Sequence, residues 1–452
     1  SLPFELTGDQ VRAIAEIDAD LAGGRPMQRL LMGEVGTGKT AVALAAMLRA
    51  VENGAQAALM APTETLAEQH HRTLDSLLGG SLPLELLTGS TTAARRRDLL
   101  ARLDSGQLAL VVGTHALIEP AVEFRDLAVV VVDEQHRFGV EQRSALTGKA
   151  DPPPHVLVMT ATPIPRTVAM TAFGDLDVSV MRELPPGRAE VQTTVVPTTD
   201  RPDWLDRAWQ RVREEVDKGH QAYLVCARIG SEDDGPGPDG DQEGDQEGGQ
   251  PLGVLDVAHQ LADGPLHGLR VSVLHGRMPP EDKDAVMRGF ANGDVDVLVS
   301  TTVIEVGVDV PNASVMVVLD ADRFGVSQLH QLRGRVRRGN VPGLCLLVTD
   351  APAGTAAQER LQAVASTADG FALSQVDLES RREGDVLGAA QSGRRSSLRL
   401  LSVLRDEDVI TAARTVADAQ VADDPGLERN PALAEAVADL VASQQADYLE
   451  KT

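Results

Sequence analysis

One pattern constrains the fold of this chain more than any other: short, unbroken Val/Leu-rich stretches alternate with amphipathic helical stretches, twice over. Strand candidates at 29–32, 57–60, 108–112, 128–132 and 156–160 are separated by helical stretches such as 40–52 and 66–77. The alternation restarts at 222–226, 271–274, 295–300, 315–319 and 344–348, with helices at 204–217, 255–263 and 280–291. A strand that is apolar on both faces must be covered on both. A helix between consecutive strands is the crossover that parallel pairing needs. The expected fold is α/β: two tandem parallel-sheet domains at 1–188 and 189–350, then a mainly helical, Ala-rich region at 351–452. Leu184-Pro-Pro-Gly-Arg188 has the composition of a joint between the halves.

Composition removes several classes of protein. No apolar run approaches the roughly 20 residues that span a bilayer, and no signal-peptide pattern opens the sequence. A cytoplasmic protein with no membrane partner is expected. Cys226 and Cys345 each sit inside an apolar run and read as buried free thiols, not as a disulfide or a zinc site. The net charge of −25 does not exclude a nucleic-acid partner, because the acids are concentrated. Residues 231–250 carry eight acids, six glycines, no base and no apolar side chain, the composition of a disordered surface insertion. Residues 406–451 carry eleven acids against Arg414, Arg429 and Lys451. A face that is locally basic can still form on the rest.

The stretch GEVGTGKT, from Gly33 to Thr40, matches the phosphate loop G-x-x-x-x-G-K-[ST] in full and lies between a predicted strand and a predicted helix. Gly33, Gly36 and Gly38 let backbone N–H groups close around phosphates, and the helix N-terminus adds positive potential. Lys39 would reach the β- and γ-phosphates, and the Thr40 hydroxyl would bind Mg2+. At the end of the 128–132 strand, Asp133 would hold Mg2+ and Glu134 would orient and deprotonate the attacking water. ATP and Mg2+ are the expected cofactors. Thr160-Ala-Thr-Pro163 could relay between that site and a neighbouring substrate; alone it is a turn and helix cap. The second half has no phosphate loop. Its segment QLHQLRGRVRRG, from Gln328 to Gly339, reads as an arginine cluster at a helix start, reaching the γ-phosphate across a cleft. A solvated basic face is the alternative for these arginines.

Taken in order, GEVGTGKT, APTETLAEQ, GTHAL, DEQH, TATPIPRT, STTVIEVGVDVPNA and QLHQLRGRVRRG resemble the motor of a superfamily 2 helicase. The phrase DEQHRFGVEQR, from Asp133 to Arg143, is similar to the bacterial RecG family, ATP-dependent DNA translocases that remodel stalled forks and Holliday junctions. The resemblance runs over residues 2–393. It implies two RecA-like domains and ATP-driven movement on duplex DNA, with branched or duplex DNA as partner. It further implies single-stranded-DNA-binding protein as a partner, a monomer and a nucleoid location. Gln10 would contact the adenine edge and Phe4 would stack on the ring. Gly307 and Asp309 would line the cleft near the ribose, and Gln331, Arg335 and Arg338 would complete the hydrolysis site. Thr63, Thr114 and Thr302 lie in motifs that contact the nucleic-acid backbone, where short hydroxyls grip phosphates without reading sequence.

Residues 377–393, DLESRREGDVLGAAQSG, are similar to the segment that the RecG family shares with the transcription-repair coupling factor Mfd. There it couples motor strokes to movement on duplex DNA, a role that would fall to Arg381, Arg382 and Gln391. Two stretches depart from the family. Arg381-Arg382-Glu383-Gly384 stands where Arg-Gly-Pro-Gly is usual, and Arg337 stands where Gly is usual. The family's wedge domain, with its OB-fold, would precede the first motif, so junction recognition is expected to lie largely outside this sequence. Mfd is the near alternative, disfavoured by DEQHRFGVEQR and by Gly343-Leu-Cys345. PriA needs zinc-binding cysteines that two separated cysteines cannot supply. A nucleotide-gated DNA-binding protein with little turnover is opposed by Glu134, Arg335 and Arg338.

Overall fold

The computed structural model describes residues 4–133, 149–150, 152–161, 176–185, 191–227, 253–302, 310–336, 342–380 and 406–439. The chain divides into two units, Ser1–Pro165 with Gly174–Ser380, and Arg166–Phe173 with Arg381–Thr452. The joint at 186–188, the acidic stretch 231–250 and most of 377–393 lie outside the described residues or their side chains.

In the first unit the Val/Leu runs form strands, and the pairings among described residues are parallel. The first lobe runs α1 (Gly8–Leu21), β1 (Gln28–Gly33), α2 (Lys39–Glu52), β2 (Gln56–Met60), α3 (Glu64–Leu78), β3 (Leu84–Leu87), α4 (Ala93–Asp104), β4 (Leu110–Gly113), β5 (Leu127–Asp133), β6 (His155–Thr160) and β7 (Asp177–Met181). Its sheet has the order β3-β4-β2-β5-β6-β1-β7. The second lobe runs β8 (Val191–Pro197), α5 (Asp203–Asp217), β9 (Gln221–Val225), α6 (Val254–Asp263), β10 (Val271–Leu274), α7 (Pro280–Ala291), β11 (Val297–Ser300), β12 (Ala313–Val318), α8 (Val326–Gly334), β13 (Gly343–Thr349), α9 (Ala356–Ser366) and α10 (Gly370–Ser380). Its sheet has the order β10-β11-β9-β12-β13-β8. These are two tandem RecA-like sheets.

Each sheet is buried on both faces because its inner strands carry unbroken apolar runs that point to both sides. Leu59, Val129, Val131 and Leu157 pack under α1–α3, while Ala58, Met60, Val130 and Val132 pack on the opposite face with α4. Each such Val or Leu side chain contributes about 1.5–3 kcal/mol on burial. Strands β3, β7 and β8 are not predicted above, and all three are sheet edges, where one side of the strand has no partner and the apolar run breaks down. Helices α9 and α10 follow the last strand but belong to the second lobe: Leu361, Val364 and Leu373 lie in its core. Cys226 and Cys345 are buried free thiols, both pushed up to about 12 by burial. In the second unit, α11 (Glu407–Asp423) is followed by a turn in which Asp424 accepts the N–H groups of Glu428 and Arg429 at 3.0 and 2.8 Å. Among the described residues, no helix is long and apolar enough to cross a membrane.

A buried glutamine repeats in the two lobes. Gln56 opens β2, and its Nε2 donates to Leu103 O and Leu108 O at 2.9 and 2.8 Å. Gln221 opens β9, and its Nε2 donates to Phe290 O and Val295 O at 2.6 and 2.7 Å. Each amide joins the end of a helix to the start of the neighbouring strand, at the same point of the two halves. Gln56 Oε1 also accepts the Asp126 N–H at 2.9 Å. Gln56→Leu keeps the volume but strands Leu108 O and the Asp126 N–H, and leaves Leu103 O to the Gly106 N–H. We expect a loss of about 2–4 kcal/mol in first-lobe stability, read as an earlier first transition in urea.

Candidate functional site

In the first sheet, β5, β6 and β1 are neighbours, so their C-terminal ends reach one edge together. The register pairs Met32 with Thr160 and Asp133 with Met159. The phosphate loop, the acid at the end of β5 and the start of the TATP segment therefore share one edge, although the loop lies about a hundred residues or more before the other two in the chain.

The loop takes its shape from glycine. Gly36 and Gly38 have φ of 87° and 83°, in the left-handed region that side chains avoid. A Cβ on Gly38 would lie 2.3 Å from Gln10 Nε2, and one on Gly33 would lie 2.6 Å from Thr37 Oγ1. Lys39 opens α2 and donates from Nζ to Gly33 O and Glu34 O at 2.7 and 3.1 Å, so its ammonium sits inside the loop. Thr40 follows it in the first turn of α2.

Gln10 belongs to a capping box at the start of α1. Thr7 N donates to Gln10 Oε1 at 2.9 Å, and Gln10 Nε2 donates to Thr37 O at 2.8 Å. The amide is 2% exposed and ties α1 directly to the phosphate loop. Asp9 fixes the same turn from the other side, accepting the N–H groups of Arg182 and Glu183 at 2.6 and 3.0 Å. Burial pushes the Asp9 carboxyl up, but these two N–H groups and the Arg12 guanidinium outweigh it and hold the group below 3.8. Phe4 is exposed just upstream.

Asp133 is bonded to a residue that the motif reading stops short of. His70 Nε2 lies 2.6 Å from Asp133 Oδ2, and both side chains are nearly buried. His70 is on α3 seven residues after Thr63, two helical turns from the cap, and APTETLAEQ ends one residue before it. Thr63 itself caps α3, its Oγ1 accepting the Leu66 N–H at 3.3 Å. Thr114 is 1% exposed, so its hydroxyl faces the interior and not solvent. Thr302 is half-buried just after β11.

From the second lobe, the end of α8 reaches the loop. A methyl on Gly334 would lie 3.4 Å from the Val35 side chain. This corrects the expectation of an arginine cluster at a helix start. Gln331 and Arg333 lie inside α8, and Arg335 is its C-cap. Cations at a C-terminus complement the helix dipole, and the helix begins seven to nine residues earlier, behind Gly325. Arg335 is 9% exposed. Two further cross-lobe bonds were not predicted: Thr65 Oγ1 donates to Asp284 Oδ1 at 2.5 Å, and Glu34 Oε1 accepts the Gly370 N–H at 2.6 Å. Glu134, Gly307, Asp309, Arg338, Arg381, Arg382 and Gln391 lie outside the described residues.

Three family models match successive parts of the chain: DEAD/DEAH box helicase over residues 7–171, helicase conserved C-terminal domain over 254–340, and ATP-dependent DNA helicase RecG, domain 3, C-terminal, over 367–438. The chain is 50% identical over 465 residues to the ATP-dependent DNA helicase RecG of Mycobacterium tuberculosis, a match that takes in 100% of this chain and 62% of that protein. It is 45% identical over 422 residues to RecG of Escherichia coli K12, covering 92% of this chain and 58% of that protein. A solved structure of RecG bound to a three-way DNA junction aligns with a TM-score of 0.73 at 40% identity, over 90% of this chain and 51% of that one. The chain thus spans about three-fifths of the length of these curated relatives. Over the part that it spans, it belongs to the RecG family of DNA helicases.

Proposed function

We propose that this chain is the ATP-driven motor of a RecG-type helicase, moving on duplex DNA and acting on branched junctions. The observation that carries the reading is a phosphate loop approached from two lobes: Asp133 shares its edge in the first lobe, and Gly334, at the end of α8 in the second, packs on Val35. A nucleotide seated there would touch both lobes, so binding and hydrolysis would alternately draw them together and release them.

In this reading Lys39 turns from the loop carbonyls toward the β- and γ-phosphates. Asp133 and Thr40 offer hard oxygen ligands, the donor type that Mg2+ prefers. Among the described residues no three His, Cys, Asp or Glu side chains converge, so the ion would take its remaining ligands from phosphates and water. Mg2+ there would neutralise charge developing on the phosphate oxygens. His70 would hold the Asp133 carboxylate in one orientation. Gln10 keeps one lone pair and one N–H beyond its two protein bonds, the pair that matches the N7/N6 edge of adenine. Phe4 would stack on the ring. Glu134 would orient the attacking water, and Gln331, Arg335 and Arg338 would complete the site from the second lobe, with Gly307 and Asp309 near the ribose. Thr63 and Thr302 would grip DNA phosphates, while Arg381, Arg382 and Gln391 would couple strokes to movement. A nucleoid location, with single-stranded-DNA-binding protein as a partner, belongs to the same reading.

Steady-state ATP hydrolysis, measured without DNA and with single-stranded, duplex and four-way-junction DNA, tests it. The rate should rise with duplex, and with the four-way junction through its duplex arms; a rate that no DNA moves overturns the reading. Lys39→Ala should abolish saturable ATP binding. Arg335→Ala should leave ATP binding in place while slowing hydrolysis by about 10³-fold or more, the scale of an arginine that stabilises phosphoryl transfer. Hydrolysis that persists near the unsubstituted rate would make Arg335 part of a basic face instead.

A further inference from the structure

Helix α10 is rooted in one lobe and held at its start by the other. Leu373 lies in the second lobe's core, yet the first two residues of the helix are clamped by first-lobe side chains. Glu34, the second residue of the phosphate loop, is 8% exposed and accepts the Gly370 N–H at 2.6 Å. Arg182, just after β7, places its guanidinium 4.9 Å from the centre of the Phe371 ring.

The same carboxylate faces α8. Glu34 Oε2 lies 3.6 Å from His330 Nε2. Arg333 Nη2 lies 2.6 Å from His330 Nδ1, and arginine can only donate, so Nδ1 accepts and a neutral imidazole carries its proton on Nε2, toward Glu34. Arg333 Nη1 also donates to Val364 O and Thr367 O at 2.8 and 2.7 Å, tying α8 to the turn that leads into α10. Meanwhile Glu34 O accepts from Lys39 Nζ at 3.1 Å. The residue whose side chain holds α10 is thus the residue whose carbonyl holds the phosphate-loop lysine.

We propose that Glu34 is a positioning residue that transmits the state of the phosphate loop to α10, and so to the chain that continues from Ser380 into Arg381. When Lys39 turns toward a phosphate, its bond to Glu34 O is exchanged, the loop shifts at that residue, and the Gly370 N–H is pulled or released with it. The inference rests on the motor reading above and adds to it the path by which hydrolysis is converted into movement. Removing the Glu34–Gly370 bond should therefore waste ATP.

The test measures, in the full chain, third-strand displacement from a triplex per ATP hydrolysed. Gly370→Pro deletes the one N–H involved at the first position of a helix, where proline is tolerated. Glu34→Ala removes the acceptor, and Glu34→Gln restores an acceptor oxygen. Gly370→Pro and Glu34→Ala should each lower displacement per ATP by about fivefold or more, the lower range of couplings between sites. The double variant should be no worse than Glu34→Ala alone, because Gly370→Pro removes only a bond that Glu34→Ala already lacks. Glu34→Gln should recover most of the loss. A ratio unchanged in Glu34→Ala, fully additive losses, or no recovery in Glu34→Gln would overturn the proposal. Where Gly370→Pro does not fold, the Glu34 pair carries the test. If the unsubstituted chain neither hydrolyses ATP nor displaces a strand, the motor reading fails by itself. The coupling is then read from amide hydrogen exchange of α10 with and without ATP. Protection that appears on adding ATP and is lost in Glu34→Ala supports the proposal; protection indifferent to Glu34 overturns it.

Discussion

Strands of a parallel sheet all end on the same edge, and adjacency in the sheet decides which strand ends become neighbours. Here the order β5-β6-β1 sets Asp133, Thr160 and the phosphate loop side by side. The loop can then close only because Gly36 and Gly38 accept a left-handed backbone and Gly33 leaves room for Thr37. Everything else at the site is arranged around that loop. Gln10 and Asp9 bring α1 to it, His70 brings α3 to the Asp133 carboxylate, and the end of α8 closes on Val35.

The second lobe repeats the first in its architecture, down to a buried glutamine that opens β2 in one and β9 in the other. What it lacks is a phosphate loop, and it meets the first lobe through a few directed contacts. Thr65 with Asp284, Glu34 with Gly370 and Val35 against Gly334 span the cleft. A hydrogen bond to a charged group contributes about 1.5–3 kcal/mol. That is the size of a typical coupling free energy between two sites, about 1–3 kcal/mol. A seam built from such bonds is strong enough to bias the lobes and weak enough for a bound nucleotide to rearrange.

How legible each part was in the sequence follows from what fixes it. Central strands carry unbroken apolar runs, so β1, β2, β5, β9 and β12 stand out. The edge strands β3, β7 and β8 carry Glu85, Ser179 and Thr193 among their residues and do not. The phosphate loop is legible because its glycines are demanded by local geometry. His70 and Glu34 are not, because only the packing of α3 on β5, and of α10 on the loop, gives them partners. Arg333 and Arg335 lie at the end of their helix, whereas the sequence suggests its start. No Ser, Thr, Asp or Asn cap precedes α8, whose N-cap is Gly325, and the glycine that signals its end, Gly334, sits inside the motif.

A site split between two lobes must move them when it fills, and the distance between the lobes measures that directly. Cys226 and Cys345 are buried with thiols near 12, so cysteines introduced at the exposed positions Arg25 and His267, one on each lobe, can be labelled selectively with a fluorescent donor and acceptor. Saturating ATP with Mg2+ should change the transfer efficiency between the labels, and Lys39→Ala should abolish that change. An efficiency that stays constant from no nucleotide to saturation, in a chain that binds ATP, would contradict a hydrolysis site completed across the cleft.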